Sequence, residues 1–105
     1  MHDIFRARDE INEVLGARLE ISFQDVNKLK YCSSIFKEAL RLYPPAASLG
    51  RDSTEEMEID DYKIPNGSNI MVSSYVNGRL ERYFPNPFEF RPERFIKDAD
   101  TIESS

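Results

Sequence analysis

The strongest constraint on this chain is the stretch Lys37–Pro45, KEALRLYPP, which ends an apolar helical pattern with two prolines. Upstream of it, apolar side chains recur three and four residues apart, at Leu29, Cys32, Ile35, Phe36, Ala39, Leu40 and Tyr43. This spacing predicts an amphipathic helix over about Leu29–Leu42 whose apolar stripe is buried. Because a residue that precedes proline is disfavoured in the helical conformation, Pro44 and Pro45 predict that the helix ends at Tyr43.

Two charged residues, Glu38 and Arg41, stand three positions apart on this predicted helix, where their side chains can meet. At about 100° per residue they lie roughly opposite the apolar stripe, beside Lys30, Ser34 and Lys37. From spacing alone, we predict an exposed ion pair that contributes about 0.3 kcal/mol to stability.

The composition of the chain restricts the class of protein. Its 105 residues form at most one small domain, and 40% hydrophobic with 31% charged residues is typical of a soluble globular protein. The formal net charge of −5 argues against a nucleic-acid partner, because phosphate binding requires a basic surface. No stretch approaches the roughly 18 apolar residues of a membrane span, so we expect this chain itself to be soluble and without a membrane segment.

The chain has one cysteine, Cys32, which excludes an internal disulfide and a cysteine-cluster metal site. Because Cys32 lies on the apolar stripe, its position favours a buried, inert thiol over a reactive one. We therefore predict no metal-binding residue.

A second main helix is predicted over about Asp3–Leu15, with Gly16 as its left-handed cap. The apolar stripe that we expect to be buried on this helix consists of Ile4, Ala7, Ile11, Val14 and Leu15. Between the two helices, Ser22 has the position of an N-cap, with Asp25 three residues later, and this pair predicts a short helical turn.

After the prolines, short alternating segments predict a small, mostly antiparallel sheet. Met57–Ile59 and Tyr62–Ile64 flank the turn residues Asp60-Asp61, a pattern that is typical of a hairpin. Pro65-Asn66-Gly67-Ser68 predicts a second turn, and an apolar strand follows over Asn69–Tyr75. Three strands in succession next to two main helices indicate the α+β fold class.

The remaining segments have weaker patterns. Ala46–Arg51 is compatible with extended chain, and Asn77–Arg82 with one helical turn. Tyr83–Phe95 is rich in proline and aromatic residues, so we expect an irregular segment whose phenylalanines require a partner surface. The tail, Ile96–Ser105, is expected to be frayed.

Taken together, these motifs resemble the cytochrome P-450 monooxygenases. The resemblance is carried, in that family's order and spacing, by Glu38-x-x-Arg41 before Tyr43-Pro44-Pro45, then Arg51, then hairpin-like strands, then Pro92-Glu93-Arg94-Phe95. It covers about residues 3–95, so we interpret residues 1–105 as a partial P-450 domain with a tail over 96–105. The resemblance implies a fragment of the larger, mainly helical P-450 fold, most similar to the microsomal branch near the sterol- and fatty-acid-hydroxylating groups.

The resemblance also implies roles for particular residues. Glu38, Arg41 and Arg94 would form a buried charge network that is scaffold rather than chemistry, and no residue is assigned as catalytic. Arg51 would contact a haem propionate, since a guanidinium donates two parallel hydrogen bonds to a carboxylate; the alternative is an exposed arginine at a strand end. The residues expected to line the substrate cavity above the haem are Ala46, Ala47, Ser48 and Leu49.

Parts of the family pattern have no counterpart in these residues. Neither a cysteine nor a glycine follows Gly78, so the loop with the axial cysteine thiolate is absent from this chain. The oxygen-activating helix and the membrane anchor of the microsomal branch would precede residue 1. We therefore expect the 105-residue chain to be a fragment that is inactive alone.

The function that the resemblance implies is insertion of one oxygen atom from dioxygen into a lipophilic, sterol- or fatty-acid-like substrate. The full-length protein would contain haem iron, receive electrons from an NADPH-dependent reductase, and lie on the cytosolic face of the endoplasmic reticulum membrane. An alternative is a non-catalytic interaction module derived from a P-450, with the aromatic residues of Tyr83–Phe95 as its docking surface. A third interpretation, an α+β domain unrelated to haem, requires both motifs to arise by coincidence.

Overall fold

The computed structural model describes residues 2–96. The chain divides into two compact units, one made of residues up to Leu40 and from Glu89 onwards, the other of Arg41–Phe88. The helices and the strands are α1 (His2–Leu15), α2 (Phe23–Val26), α3 (Lys30–Leu42), β1 (Ser48–Asp52), β2 (Met57–Ile59), β3 (Tyr62–Ile64), β4 (Asn69–Ser73) and α4 (Ser74–Asn77), followed by a 3₁₀ turn, Pro92–Phe95. This mixture of helices and short antiparallel strands confirms the α+β class.

Helix α1 has the predicted extent but not the predicted burial. Gly16 ends it with φ of 60°, and its N–H donates to the Asn12 carbonyl at 2.8 Å, so the left-handed cap is confirmed. The prediction that the apolar stripe of α1 is buried is wrong, because no residue of α1 is fully buried and Ile4 is 61% exposed. Ile4 and Ile11 instead line an open groove with Ile35 and Phe90.

The short helix α2 forms as the sequence predicts. The Ser22 hydroxyl accepts from the Asp25 N–H at 3.3 Å, while the Asp25 carboxylate accepts from the Ser22 N–H at 2.9 Å, which completes a capping box. Arg18 adds an ion pair to the buried Asp25 carboxylate at 3.0 Å. Hydrogen bonds from Arg18 and Ser22 hold the pKa of Asp25 well below its usual range.

Helix α3 ends where the prolines predict, yet it buries the opposite face from the one predicted. Its buried residues are Tyr31, Ser34, Glu38, Arg41 and Leu42. Phe36, on the apolar stripe, is 65% exposed, and Leu40 and Tyr43 are exposed as well. The prediction failed because it assigned burial by side-chain polarity, whereas the polar groups of this face have hydrogen-bond partners that make their burial tolerable.

The strands are antiparallel, as predicted, and form two separate two-stranded sheets rather than one sheet. Strands β2 and β3 form the predicted hairpin, whose turn residues Asp60 and Asp61 have φ of 48° and 65°. Strand β4 pairs instead with β1, the segment that the sequence indicated only as extended chain. Strand periodicity gives no information about which partner a strand takes.

Ser53, which is buried, fixes the approach of β4 to β1. Its hydroxyl donates to the Pro65 carbonyl at 2.8 Å and accepts from the Ser68 N–H at 2.9 Å, and its own N–H donates to the Ser68 carbonyl at 2.8 Å. Gly67, in the turn predicted at Pro65–Ser68, has φ of 81°, a value that favours glycine. These contacts tie the turn before β4 to the end of β1.

The last predicted elements are only partly reproduced. The helical turn expected over Asn77–Arg82 lies earlier, at Ser74–Asn77, because the Ser73 hydroxyl accepts from the Val76 N–H at 3.2 Å and starts the turn there. The aromatic segment is irregular until the turn at Pro92–Phe95. The predicted frayed tail lies outside the described residues, apart from Ile96. Within the described part of the chain, no helix has both the length and the apolar character needed to cross a membrane.

Candidate functional site

Glu38, on α3, is the most deeply buried charged residue among residues 2–96, with 0% of its surface exposed. Its Oε1 atom accepts from Arg94 Nε at 3.0 Å and from the Arg91 N–H at 2.9 Å. The Arg94 side chain is itself only 11% exposed, so solvent screens this ion pair weakly. Among the described residues, no buried side-chain nitrogen or oxygen lacks a hydrogen-bond partner.

Arg94 is presented to Glu38 by the 3₁₀ turn at Pro92–Phe95. Pro92 is buried at the start of this turn, where its fixed φ suits the first position and no N–H is needed. The Arg94 guanidinium also donates to the Glu89 carbonyl at 3.2 Å, which closes the segment around the ion pair. This part of the chain is therefore held to α3 by charge-assisted hydrogen bonds rather than by regular secondary structure.

A second polar cluster, which the sequence did not indicate, surrounds the hydroxyl of the buried Tyr31. That hydroxyl lies 2.6 Å from Asp3 Oδ1 and 3.4 Å from Glu93 Oε1. Arg6 stacks over the Tyr31 ring at 4.2 Å and pairs with Glu93 at 3.3 Å. Burial and the two carboxylates raise the pKa of Tyr31 to about 12, so the phenol is neutral and donates. No local sequence pattern could reveal contacts between residues so far apart in the chain.

Arg41 is buried in the unit formed by Arg41–Phe88. Its Nη1 atom donates to the carbonyls of Gly78 and Pro87, both at 2.6 Å, and its guanidinium lies 5.3 Å from the centre of the Phe84 ring. The structure thus brings Glu38 and Arg94 together and gives Arg41 main-chain partners on a different segment. The three-membered network of Glu38, Arg41 and Arg94 stays a prediction.

Gly78 is required by this packing. A Cβ atom at position 78 would lie 2.6 Å from the Arg41 carbonyl oxygen, which is a backbone atom that cannot rotate away. We expect Gly78→Ala to lower the free energy of unfolding by about 1–3 kcal/mol, the usual cost of overpacking. Urea denaturation followed by circular dichroism would measure this change. Gly50→Ala is the matched control, since its Cβ would meet only a side-chain atom at 3.8 Å, and an equal loss in both variants would contradict the steric argument.

The antiparallel register of β1 and β4 separates two faces of a ribbon. Leu49 pairs with Val72 and Arg51 with Ile70, and alternation along the strands places all four on one face. The arginine is exposed, and within residues 2–96 the structure records no hydrogen bond or ion pair of its side chain. This face, which we call the Arg51 face, therefore combines apolar side chains with one available guanidinium.

The predicted cavity-lining residues do not act as one set. The Ala46 carbonyl accepts from the Ser74 hydroxyl at 2.6 Å, and the Ala47 carbonyl accepts from the Tyr75 N–H at 3.2 Å. The main-chain carbonyls of both alanines are thus hydrogen-bonded, whereas their side chains are exposed. Leu49 lies on the Arg51 face, whereas Ser48 pairs with Ser73 on the opposite face. That these residues line a cavity stays a prediction.

Cys32 is half-buried on α3 rather than fully buried. Burial, together with the neighbouring Glu10 carboxylate, raises the pKa of the Cys32 thiol to about 11. The thiol is therefore protonated at neutral pH, and a protonated thiol is a poor nucleophile and a poor metal ligand.

Along the chain, α3 carries the Glu-x-x-Arg motif, an arginine-bearing ribbon follows the prolines after it, and the Pro-Glu-Arg-Phe turn pairs with the glutamate. Residues 4–105 match the model of the cytochrome P450 family. The chain therefore belongs to the cytochrome P450 family.

Individual relatives agree with this assignment. The chain is 43% identical over 90 residues to (+)-vincadifformine 19-hydroxylase of Catharanthus roseus, covering 86% of this chain and 18% of that protein. It is 39% identical over 97 residues to probable cytochrome P450 4d20 of Drosophila melanogaster, covering 90% and 19%. It is 40% identical over 94 residues to 2-hydroxyisoflavanone synthase of Glycyrrhiza uralensis, covering 90% and 18%. The chain spans about a fifth of the length of these relatives.

Proposed function

We propose that these residues are the part of a haem-dependent monooxygenase that holds one haem propionate and one wall of the substrate site. The observation that carries the proposal is the Arg51 face, where an exposed guanidinium stands beside the apolar side chains of Leu49 and Val72. A haem has an apolar macrocycle with carboxylates on one edge, which matches this combination. Arginine suits the propionate better than lysine, because its planar fork donates two hydrogen bonds in a fixed geometry.

The chemistry that bound haem supplies is the activation of dioxygen for transfer of one oxygen atom to an organic substrate. The residues described here would orient the haem and hold it in place. Arg51 would neutralise the propionate charge, and the apolar side chains beside it would exclude water from the macrocycle edge. The buried pair of Glu38 with Arg94 would keep the Pro92–Phe95 turn fixed to α3, as the scaffold of the haem-binding core.

We propose a lipophilic, sterol- or fatty-acid-like substrate, since Ala46, Ala47 and Leu49 offer only apolar side chains. The relatives include proteins named as hydroxylases, which supports oxidation of an organic molecule.

Electrons would come from an NADPH-dependent reductase, and the whole protein would lie on the cytosolic face of the endoplasmic reticulum membrane. The axial cysteine thiolate is not among these residues, so the 105-residue chain would be inactive alone.

The proposal is tested by replacing Arg51 in a longer form of the protein that contains the cysteine loop. Arg51→Ala is expected to weaken haem binding about ten-fold or more, since a charge-assisted hydrogen bond contributes roughly 1.5–3 kcal/mol. Arg51→Lys should retain part of the affinity, because it keeps the charge and loses the second hydrogen bond. Haem affinity would be measured by spectroscopic titration of the apoprotein.

Lys63→Ala is the matched control for Arg51→Ala, because Lys63 is also an exposed base on a β-strand of the same unit. It should leave haem affinity unchanged. Equal affinity in Arg51→Ala and the unaltered protein would remove the basis for the propionate contact.

A second candidate function is a non-catalytic interaction module. The observation that favours it is the exposure of aromatic side chains in the predicted docking segment, with Phe88 exposed by 78%. Failure of the longer protein to bind haem, combined with Phe88-dependent binding of another protein, would favour the module over the enzyme.

A further inference from the structure

Helix α3 begins without a capping side chain of its own. The first N–H groups of any α-helix have no acceptor within the helix and require an external one. The residue before α3 is Leu29, whose side chain has no acceptor atom. The Lys30 N–H donates to the Lys28 carbonyl at 2.9 Å, and the N–H groups of Tyr31 and Cys32 need acceptors from another part of the chain.

The acceptor is supplied by α1. Glu10 Oε1 accepts from the Tyr31 N–H at 2.8 Å, and Glu10 Oε2 accepts from the Cys32 N–H at 2.9 Å. Both carboxylate oxygens thus bind consecutive N–H groups of the first turn of α3. A negative charge at this position also interacts favourably with the positive end of the helix dipole.

We infer that Glu10 is a positioning residue for Glu38. It caps α3 from a neighbouring helix, and α3 then places Glu38 roughly two helical turns further on, against Arg91 and Arg94. Two further contacts tie α1 to the same turn: the Tyr31 hydroxyl bonds to Asp3 at 2.6 Å, and Cys32 Sγ lies 3.8 Å from the Ala7 carbonyl. The consequence for haem rests on the proposed function, whereas the cap itself does not.

The electrostatics of Glu10 agree with a capping role. Burial acts to raise the pKa of Glu10, but hydrogen bonds from the N–H groups of Tyr31 and Cys32 lower it on balance. Glu10 lines a hollow between α1 and the start of α3, and the other charged groups around this hollow are Arg6, Asp9, Glu13 and Lys30. The pKa of Glu10 in the folded chain is lower than its ordinary value of 4.5. The stabilisation by the cap is therefore fully present above pH 4.5, and it is lost as the pH falls through the lowered pKa of Glu10.

Amide hydrogen exchange of the 105-residue chain tests the inference residue by residue. In Glu10→Gln, the protection factors of the Tyr31 and Cys32 amides are expected to fall about ten-fold, because hydrogen bonds to a charged acceptor are replaced by weaker ones. The Arg91 amide, which donates to Glu38, should lose protection as well if Glu10 positions Glu38. Amides of the ribbon of β1 and β4 should not change.

Glu13→Gln is the matched control, because Glu13 lies on the same helix beside the same hollow. The substitution removes the same charge, and among residues 2–96 the structure records no hydrogen bond between Glu13 and α3. Glu10→Asp, which keeps the carboxylate on a shorter side chain, should recover part of the protection. In the unaltered chain, the Tyr31 and Cys32 amides should also lose protection as the pH falls through the lowered pKa of Glu10, whereas Glu10→Gln should show no such step.

Three results would overturn the inference: unchanged Tyr31 and Cys32 protection in Glu10→Gln, an equal loss in Glu13→Gln, or no protection of these amides in the unaltered chain. If the Tyr31 and Cys32 amides lost protection while the protection of the Arg91 amide stayed unchanged, Glu10 would be only a local cap, and the positioning role would be overturned. None of these measurements involves haem, so their failure is distinguishable from failure of the proposed haem function.

Discussion

Glu38→Gln is expected to lower the free energy of unfolding of the 105-residue chain by about 3–5 kcal/mol. The substitution keeps the shape of the side chain but removes the buried carboxylate charge that pairs with the Arg94 guanidinium, which is only 11% exposed. It also weakens the acceptor of the Arg91 N–H. Since small domains are stable by only about 5–15 kcal/mol, this loss is a large fraction of the total stability. Urea denaturation monitored by circular dichroism would measure the change.

The control for this prediction is Glu89→Gln. Glu89 also pairs with an arginine, Arg91, but its side chain is exposed, and exposed pairs contribute about 0–1 kcal/mol. A Glu38 variant that unfolds at the same urea concentration as the Glu89 variant would show that burial of the Glu38–Arg94 pair is energetically unimportant.

Arg41→Ala should have a comparable effect in the other unit. Removing the guanidinium leaves the carbonyls of Gly78 and Pro87 without their buried donor. Each unsatisfied carbonyl costs about 1–3 kcal/mol, so we expect the free energy of unfolding to fall by roughly 2–6 kcal/mol. Arg41→Lys keeps the charge, but its compact ammonium cannot reproduce the planar geometry of the guanidinium. We expect Arg41→Lys to be intermediate between Arg41→Ala and the unaltered chain in urea denaturation.

In a longer form of the protein that contains the cysteine loop, Arg41→Ala should also prevent stable haem incorporation. The ferrous–carbon monoxide absorption spectrum measures this directly. Arg82→Ala serves as the control, because Arg82 is exposed and stacks on the ring of its sequence neighbour Tyr83, at 4.6 Å. A normal spectrum in the Arg41 variant would contradict a scaffold role for this residue.

Features encoded by neighbouring residues were predicted accurately. Gly16 and the two prolines after Tyr43 predicted the helix ends, Ser22 with Asp25 predicted the N-cap of a short helical turn, and Asp60-Asp61 predicted the turn of a hairpin. Each of these depends on the conformational preferences or hydrogen-bonding groups of residues within about four positions. Such preferences act in the local chain whatever the rest of the molecule does.

Burial was predicted poorly, and α3 shows why. Periodicity correctly identified the two faces of the helix, but polarity assigned the wrong one to the interior. Glu38 is buried because residues more than fifty positions away, Arg91 and Arg94, supply its donors. The apolar stripe through Phe36 is exposed in this chain, which spans about a fifth of the length of its relatives.

The sequence by itself determined where α1 and α3 end and where the turn between β2 and β3 lies, and its motifs identified the cytochrome P450 family. Only the tertiary structure decided that β1 pairs with β4, that Arg51 shares a face with Leu49 and Val72, and that Glu10 caps α3. The physical reason is the distance along the chain over which each interaction acts. Local preferences are properties of a few adjacent residues, whereas strand pairing and the burial of charge depend on partners that only folding brings together.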